Sequence, residues 1–252
     1  MNHLFDISGK KAVVTGGSQG LGRGMAEALL ESGCEVVLIA HSEAVMKAAE
    51  EYRNKGYQCH GVQGDFSKRE DVYSSFEKAV ELLGTIDILV TAAGIQRRHS
   101  AEDFPMEDWE AVMKVNLDAV FIQCQLAGRI MLKKGYGKII NIASMISFFG
   151  GQTIPAYAAA KGGVAQLTKE LTNDWAGRGV CVNAIAPGYM ATEMNTKIME
   201  DEVRNEQISK RIPMGRWGKP ADMKGATIFL ASPASDYISG AILPVDGGYL
   251  IK

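Results

Sequence analysis

Four cysteines in 252 residues, Cys34, Cys59, Cys124 and Cys181, are too few and too scattered to suggest a disulfide framework. None forms a CxxC pair and no histidine stands beside one at ligand spacing, so no metal is expected and reduced thiols in the cytoplasm fit best. Charge of one sign is also scarce: 27 Lys and Arg against 29 Asp and Glu leave a formal net charge of −2 with no basic block. That balance gives nucleic acid or an anionic membrane surface nothing to hold. No stretch approaches the ~18 apolar residues of a membrane span, and the opening MNHLFDISGK has no apolar signal core. No linker, repeat or low-complexity tract interrupts the chain. What is present, 46% apolar and 22% charged residues, suits one large globular domain spanning 1–252.

Short apolar, β-branched runs alternate with longer stretches of helical spacing, the pattern of repeated βα units and of a parallel sheet covered on both faces. Seven strands are expected, at 11–15, 35–40, 58–63, 86–91, 138–143, 180–185 and 241–245. Helices are expected at 21–32, 44–55, 71–83, 109–133, 156–177 and 221–231. The rhythm breaks at 187–220, where a charged helical piece around 197–211 has no strand of its own. An insertion of that length reads either as an active-site lid or as a solvated surface helix.

Thr15-Gly16-Gly17-Ser18-Gln19-Gly20-Leu21-Gly22 follows the first strand and opens the first helix. Glycine lets a backbone turn sharply and approach a pyrophosphate, whose charge the helix N-terminus favours. Gly16, Gly20 and Gly22, with Ser18, Gln19 and Leu21 between and beside them, are candidate dinucleotide contacts. The second strand ends at Ala40-His41-Ser42, where an acid would bind ribose hydroxyls and repel a 2′-phosphate. With neither acid nor arginine there, NAD and NADP both stay open, with a lean to NADP through His41 and Ser42; His41 is equally readable as an ordinary loop histidine. Asp65 and Phe66 after the third strand, and Ala92, Ala93 and Gly94 after the fourth, lie at strand carboxyl ends where open parallel sheets bind ligands. Asp65 also suits a helix-capping role near Ser67.

Tyr157 and Lys161 are one helical turn apart and share a face. Lys161 continues into the stripe Val164, Thr168, Leu171 and Trp175, so its ammonium points into packing and needs a reason to be there. Beneath a phenol it would lower the tyrosine pKa toward working pH, as acid/base catalysis requires. Ser144 ends the fifth strand and can align a carbonyl. Asn116 sits on an apolar helix stripe, where its amide must find partners or hold a proton-relay water. Each residue alone has a bland explanation, but the order of glycine loop, strand-end serine and Tyr-x-x-x-Lys pair points to hydride transfer.

With these motifs the chain resembles the short-chain dehydrogenase/reductase family over essentially its whole length. That resemblance implies an α/β fold with a Rossmann-type doubly wound parallel sheet of about seven strands and helices on both faces. It also implies a tetrad of Asn116, Ser144, Tyr157 and Lys161, an adenine contact at Asp65, and a segment closing over the nicotinamide at Pro187, Gly188 and Thr192. Tyr157 and Lys161 then also contact cofactor. Thr91 stands where the family usually has asparagine, which implies an effect on stability and not on activity.

The stretches Gly94-Ile95-Gln96-Arg97-Arg98-His99, Ile139-Ile140-Asn141-Ile142-Ala143-Ser144-Met145, Ala186-Pro187-Gly188-Tyr189-Met190-Ala191-Thr192 and Gly215-Arg216-Trp217-Gly218 resemble the family's sugar-acid branch, gluconate 5-dehydrogenases and 2-dehydro-3-deoxygluconate 5-dehydrogenases. Arg97 and Arg98 are placed to grip a carboxylate in bidentate fashion, or only to tie down a loop. Met145 and Gln152 are further substrate candidates. The expected activity is NAD(P)-dependent oxidation of a sugar-acid hydroxyl or reduction of the ketone, with a 3-oxoacyl thioester reductase and a non-catalytic redox sensor as rivals. The resemblance also implies a homotetramer.

Overall fold

A computed structural model describes residues 3–252. Seven parallel strands form one sheet in the order β3-β2-β1-β4-β5-β6-β7. They are β1 (Lys11–Thr15), β2 (Glu35–Ala40), β3 (Cys59–Gln63), β4 (Ile88–Thr91), β5 (Gly137–Ile142), β6 (Val180–Pro187) and β7 (Ile242–Val245). The helices are α1 (Gly20–Glu31), α2 (Ala44–Asn54), α3 (Arg69–Leu83), α4 (Met106–Met113), α5 (Ala119–Lys134), α6 (Pro155–Trp175), α7 (Thr196–Glu200), α8 (Glu202–Arg211) and α9 (Lys224–Ala231). Expected and observed strand ends differ by at most two residues, β6 running on to Pro187.

Alternate residues of each central strand feed two separate cores, because successive side chains point to opposite faces. Val13, Val37, Leu89 and Ile139 pack with α3, α5 and α6. Their neighbours Val14, Leu38, Val90 and Ile140 pack with α1, α2 and α9. Burial on both faces is what makes these strands read as continuous apolar runs. A third, smaller cluster of Ile198, Ile208, Ile212, Trp217, Met145 and Tyr249 anchors the 187–220 insertion. The four cysteines are free; burial pushes Cys34, Cys59 and Cys124 up to about 12, so they stay protonated. Among the described residues no helix is long and apolar enough to cross a membrane.

One expected helix, 109–133, is instead α4 and α5 joined by a π turn at Lys114–Asp118. Apolar spacing runs through the join, so the extra residue leaves no mark on the periodicity.

A polar chain crosses the buried centre of the sheet. Thr91 Oγ1 donates to Asn141 Oδ1 at 2.8 Å, and Asn141 Nδ2 donates to Thr168 Oγ1 at 3.1 Å. Thr168 donates on to the Val164 carbonyl at 2.8 Å, which ties β4 and β5 to the middle of α6. Thr91→Val leaves the Asn141 carbonyl only the weak Cys124 thiol donor at 3.3 Å. We expect this variant to lose about 1–3 kcal/mol in urea unfolding with kcat little changed.

Candidate active site

The carboxyl ends of the strands open into a cleft of about 550 Å³ that runs from His41 and Asp65 across the glycine loop to Ser144, Tyr157 and Lys161. Gly16 has φ +66°, and a Cβ there would meet Ala93 Cα at 2.8 Å. A Cβ on Gly22 would collide with the Gly16 carbonyl oxygen, so these two glycines allow loop and helix to pack closely. Gly20, at φ +56°, opens α1 with nothing nearer than Thr192 Cγ2 at 3.9 Å above it. The α1 N-cap, Gln19, makes no side-chain bond to the first turn, so those N–H groups are free to meet a phosphate. A bare helix N-terminus over a glycine cradle, in a cleft of this length, fits a dinucleotide.

Ser18, Leu21, Phe66, Ala92, Ala93, Gly94, Pro187, Gly188 and Thr192 also line the cleft. Ser42 is not among the lining residues; its carbonyl accepts from Val45 N at 3.1 Å in the turn before α2. Asp65 Oδ1 accepts from the Ser67 amide at 3.0 Å and hydroxyl at 2.8 Å, a local turn that precedes α3 without capping it. These bonds hold its carboxyl below the ordinary range, and its second oxygen remains for a ligand in the cleft.

β5 delivers Ser144 in extended conformation, where it caps the turn Met145–Ser147. Its Oγ accepts from Ile146 N at 3.2 Å. Ser147 Oγ donates to the Lys161 carbonyl at 2.7 Å, locking that turn to α6. Pro155 starts α6, which places Tyr157 in its first turn and Lys161 one turn on. Lys161 is 3% exposed; its Nζ donates to the Ile142 carbonyl at 2.6 Å and lies 5.7 Å from the Tyr157 ring centre. Burial pushes Lys161 down to about 8. Burial likewise raises the Tyr157 pKa, against the opposing pull of the Ser144 hydroxyl and the Arg98 charge. Desolvation is thus the leading influence on this phenol, and Lys161 is not among the groups that oppose it.

Asn116 is fully buried in the π turn. Its Oδ1 accepts from Ile95 N at 2.9 Å and its Nδ2 donates to the Ile95 carbonyl at 2.8 Å. These two bonds hold the loop after β4 and leave one N–H and one lone pair of the amide for a further partner. Arg97 lines the cleft and pairs with Asp108, whose Oδ1 is 3.2 Å from Arg97 Nε.

A second chamber of about 460 Å³ adjoins the cleft, and both share Ser144, Tyr157 and Gly188. Arg98, Met145 and Gln152 line it, with Arg204 and Arg211 from α8 and Tyr249 from the C-terminal turn. Its lining contains three arginines and no acid.

The model of the family described as enoyl-(acyl carrier protein) reductase matches residues 16–250. A 2-dehydro-3-deoxy-D-gluconate 5-dehydrogenase of Bacillus subtilis (strain 168) is 49% identical over all of this chain and 99% of its own. The chain belongs to the short-chain dehydrogenase/reductase family. Another relative in the family, a gluconate 5-dehydrogenase of Gluconobacter oxydans (strain 621H), is 39% identical over the full length of both chains. The crystal structure of a gluconate 5-dehydrogenase from Burkholderia cenocepacia J2315, in complex with NADP and tartrate, superposes with a TM-score of 0.95 at 40% identity, covering 99% of this chain and 98% of that one.

Against that family frame, sequence reading missed Gln96, Arg204, Gln207, Arg211 and Tyr249 as chamber residues. Arg204, Gln207 and Arg211 recur at three and four residues along α8, a signal that was readable as one face. Tyr249 is brought in from the far end of the chain and has no local signal.

Proposed function

We propose that the protein is an NADP-dependent dehydrogenase interconverting a secondary alcohol and a ketone on a sugar acid, of the gluconate 5-dehydrogenase or 2-dehydro-3-deoxygluconate 5-dehydrogenase type. One observation carries the substrate class: the chamber beside Tyr157 and Ser144 is lined by arginine without a single carboxylate. The names and full-length similarity of the relatives support the same class.

In oxidation, Tyr157 Oη takes the hydroxyl proton as the carbinol becomes a ketone; in reduction it returns that proton to the carbonyl oxygen. Ser144 Oγ aligns the reacting oxygen. The bound nicotinamide supplies the hydride acceptor or donor, and in its oxidised form adds positive charge that favours phenolate. Lys161, whose Nζ lies 5.7 Å from the Tyr157 ring centre, contributes positive charge beside the phenol, and Asn116 acts as a positioning residue through Ile95. The 187–220 insertion serves as lid over the chamber. Free thiols support a cytoplasmic enzyme, and exposed Phe121, Tyr237 and Ile251 offer apolar surface for packing in a homotetramer.

The preference for NADP rests on His41 lining the adenosine end of the cleft where an acid would exclude a 2′-phosphate. His41→Asp is expected to weaken NADP binding at least about tenfold while leaving NAD binding within about twofold, measured by fluorescence titration.

Steady-state assays with gluconate and 2-dehydro-3-deoxygluconate, a neutral polyol and an acetoacetyl thioester test the reading. Turnover of a sugar acid with reduction of NADP upholds it. Turnover of the thioester alone favours the reductase rival, and cofactor binding with no turnover of any substrate favours the sensor.

A further inference from the structure

Arg98 and Arg204 line one chamber from opposite elements, the loop after β4 and the first turn of α8. Neither has an acidic partner among the described residues. Arg98 Nη2 donates to Gln96 Oε1 at 2.9 Å, which orients the guanidinium and leaves its other donors available. Arg204 has no comparable local explanation. Its amide is bound by the Asp201 cap at 3.0 Å, so the residue sits at the positive end of the helix, where a cation is disfavoured. Arg211, by contrast, is accounted for: it closes α8 at the favourable end and lies 4.3 Å from the Tyr249 ring centre. Burial first, and the Arg204 charge second, disfavour the protonated form of Arg98.

Two like charges lining one open chamber repel, and a carboxylate that reaches both turns that repulsion into two charge-assisted contacts. We propose that Arg204 is the second jaw of a carboxylate clamp, closing the α8 side of the lid against Arg98 when an anionic substrate enters. This rests on the sugar-acid reading above and adds to it the residue that makes the lid select sugar acids over neutral polyols. A fixed arginine on the loop orients the anion, while the one on the lid couples its charge to closure.

The test compares the full-length protein with Arg204→Gln and Arg204→Lys. With gluconate, Arg204→Gln should raise KM by about 10- to 100-fold with a smaller change in kcat, the effect of one lost bond to a charged group. The ratio of kcat/KM for gluconate to that for glucitol should fall by the same factor, and Arg204→Lys should recover part of it, since lysine keeps the charge without the fork. Affinity for NADP should stay within about twofold, with wild-type thermal stability. Calorimetric titration of the NADP complex with tartrate gives a readout independent of turnover, and its Kd should weaken in parallel. If wild type oxidises gluconate but Arg204→Gln leaves KM and tartrate binding within twofold, the clamp is wrong and the sugar-acid reading stands. If wild type turns over no sugar acid, that reading fails; the clamp then falls as well unless tartrate binds and the binding depends on Arg204.

Discussion

Tyr157→Phe should lower kcat by about 10³-fold while leaving the affinity for NADP unchanged, because general acid/base groups contribute about 10²–10⁴ in rate. The ring is kept, and with it the packing against Val112, Ala156 and Ala160; only the oxygen that exchanges the substrate proton is lost. Steady-state kinetics and cofactor titration separate the two effects. The direction of the pH dependence follows from the same group. Burial raises the phenol pKa, and Ser144 and Arg98 pull it back. Oxidation needs phenolate, so its rate rises with pH through the phenol's pKa in the complex. Reduction needs phenol, so its rate falls over the same window. Arg98→Gln removes one of the opposing pulls and should move both profiles to higher pH.

Lys161→Met should also lower kcat, by about 10²–10³-fold, the usual cost of deleting one fixed electrostatic group at a reacting centre. Its effect on the free protein has the opposite sign. Lys161 is held down to about 8 from an unfolded value of 10.5 by desolvation alone. Between those values the unfolded chain binds more protons than the folded one, so stability rises with pH through that window and the deficit is complete below about 8. At ~1.4 kcal/mol per pH unit the deficit is about 3 kcal/mol. Methionine removes it but leaves the Ile142 carbonyl without its donor, which offsets about 1–2 kcal/mol. The variant should melt about 2–6 °C higher at pH 7, and this gain should shrink as pH rises toward 10.5. A lower melting temperature at pH 7 would show that the lysine's contacts outweigh its desolvation.

Much of this was legible in the sequence, for reasons visible in particular residues. The strand pairs Val13/Val14 and Leu89/Val90 are apolar on both faces because each face meets helices, so their runs stand out in any window. Gly16, Gly20 and Gly22 were readable because close approach demands glycine at Gly16 and Gly22 and left-handed backbone favours it at Gly16 and Gly20. Tyr157 and Lys161 were readable because a buried ammonium one turn from a phenol is hard to explain otherwise.

What was not legible depends on balance or on distant parts of the chain. The sign of the Tyr157 shift is a competition between burial and charge, and spacing reports neither. Asn116 was placed correctly on a buried stripe, but its partner Ile95 lies 21 residues away. Of the adjacent arginines, Arg97 meets Asp108 and Arg98 faces the chamber, a split set by side-chain direction and not by position. The face of Arg204, Gln207 and Arg211 on α8 was readable from spacing, but the mixed charge of the run as a whole masks it.

A crystal structure of the enzyme with NADP and a sugar acid tests the site most directly. The expected pose puts the reacting oxygen about 2.6–3.2 Å from both Tyr157 Oη and Ser144 Oγ, with the carboxylate on Arg98 in the adjoining chamber. A carboxylate lodged against Tyr157, or a sugar acid bound outside the chamber with Tyr157 and Ser144 untouched, would contradict it.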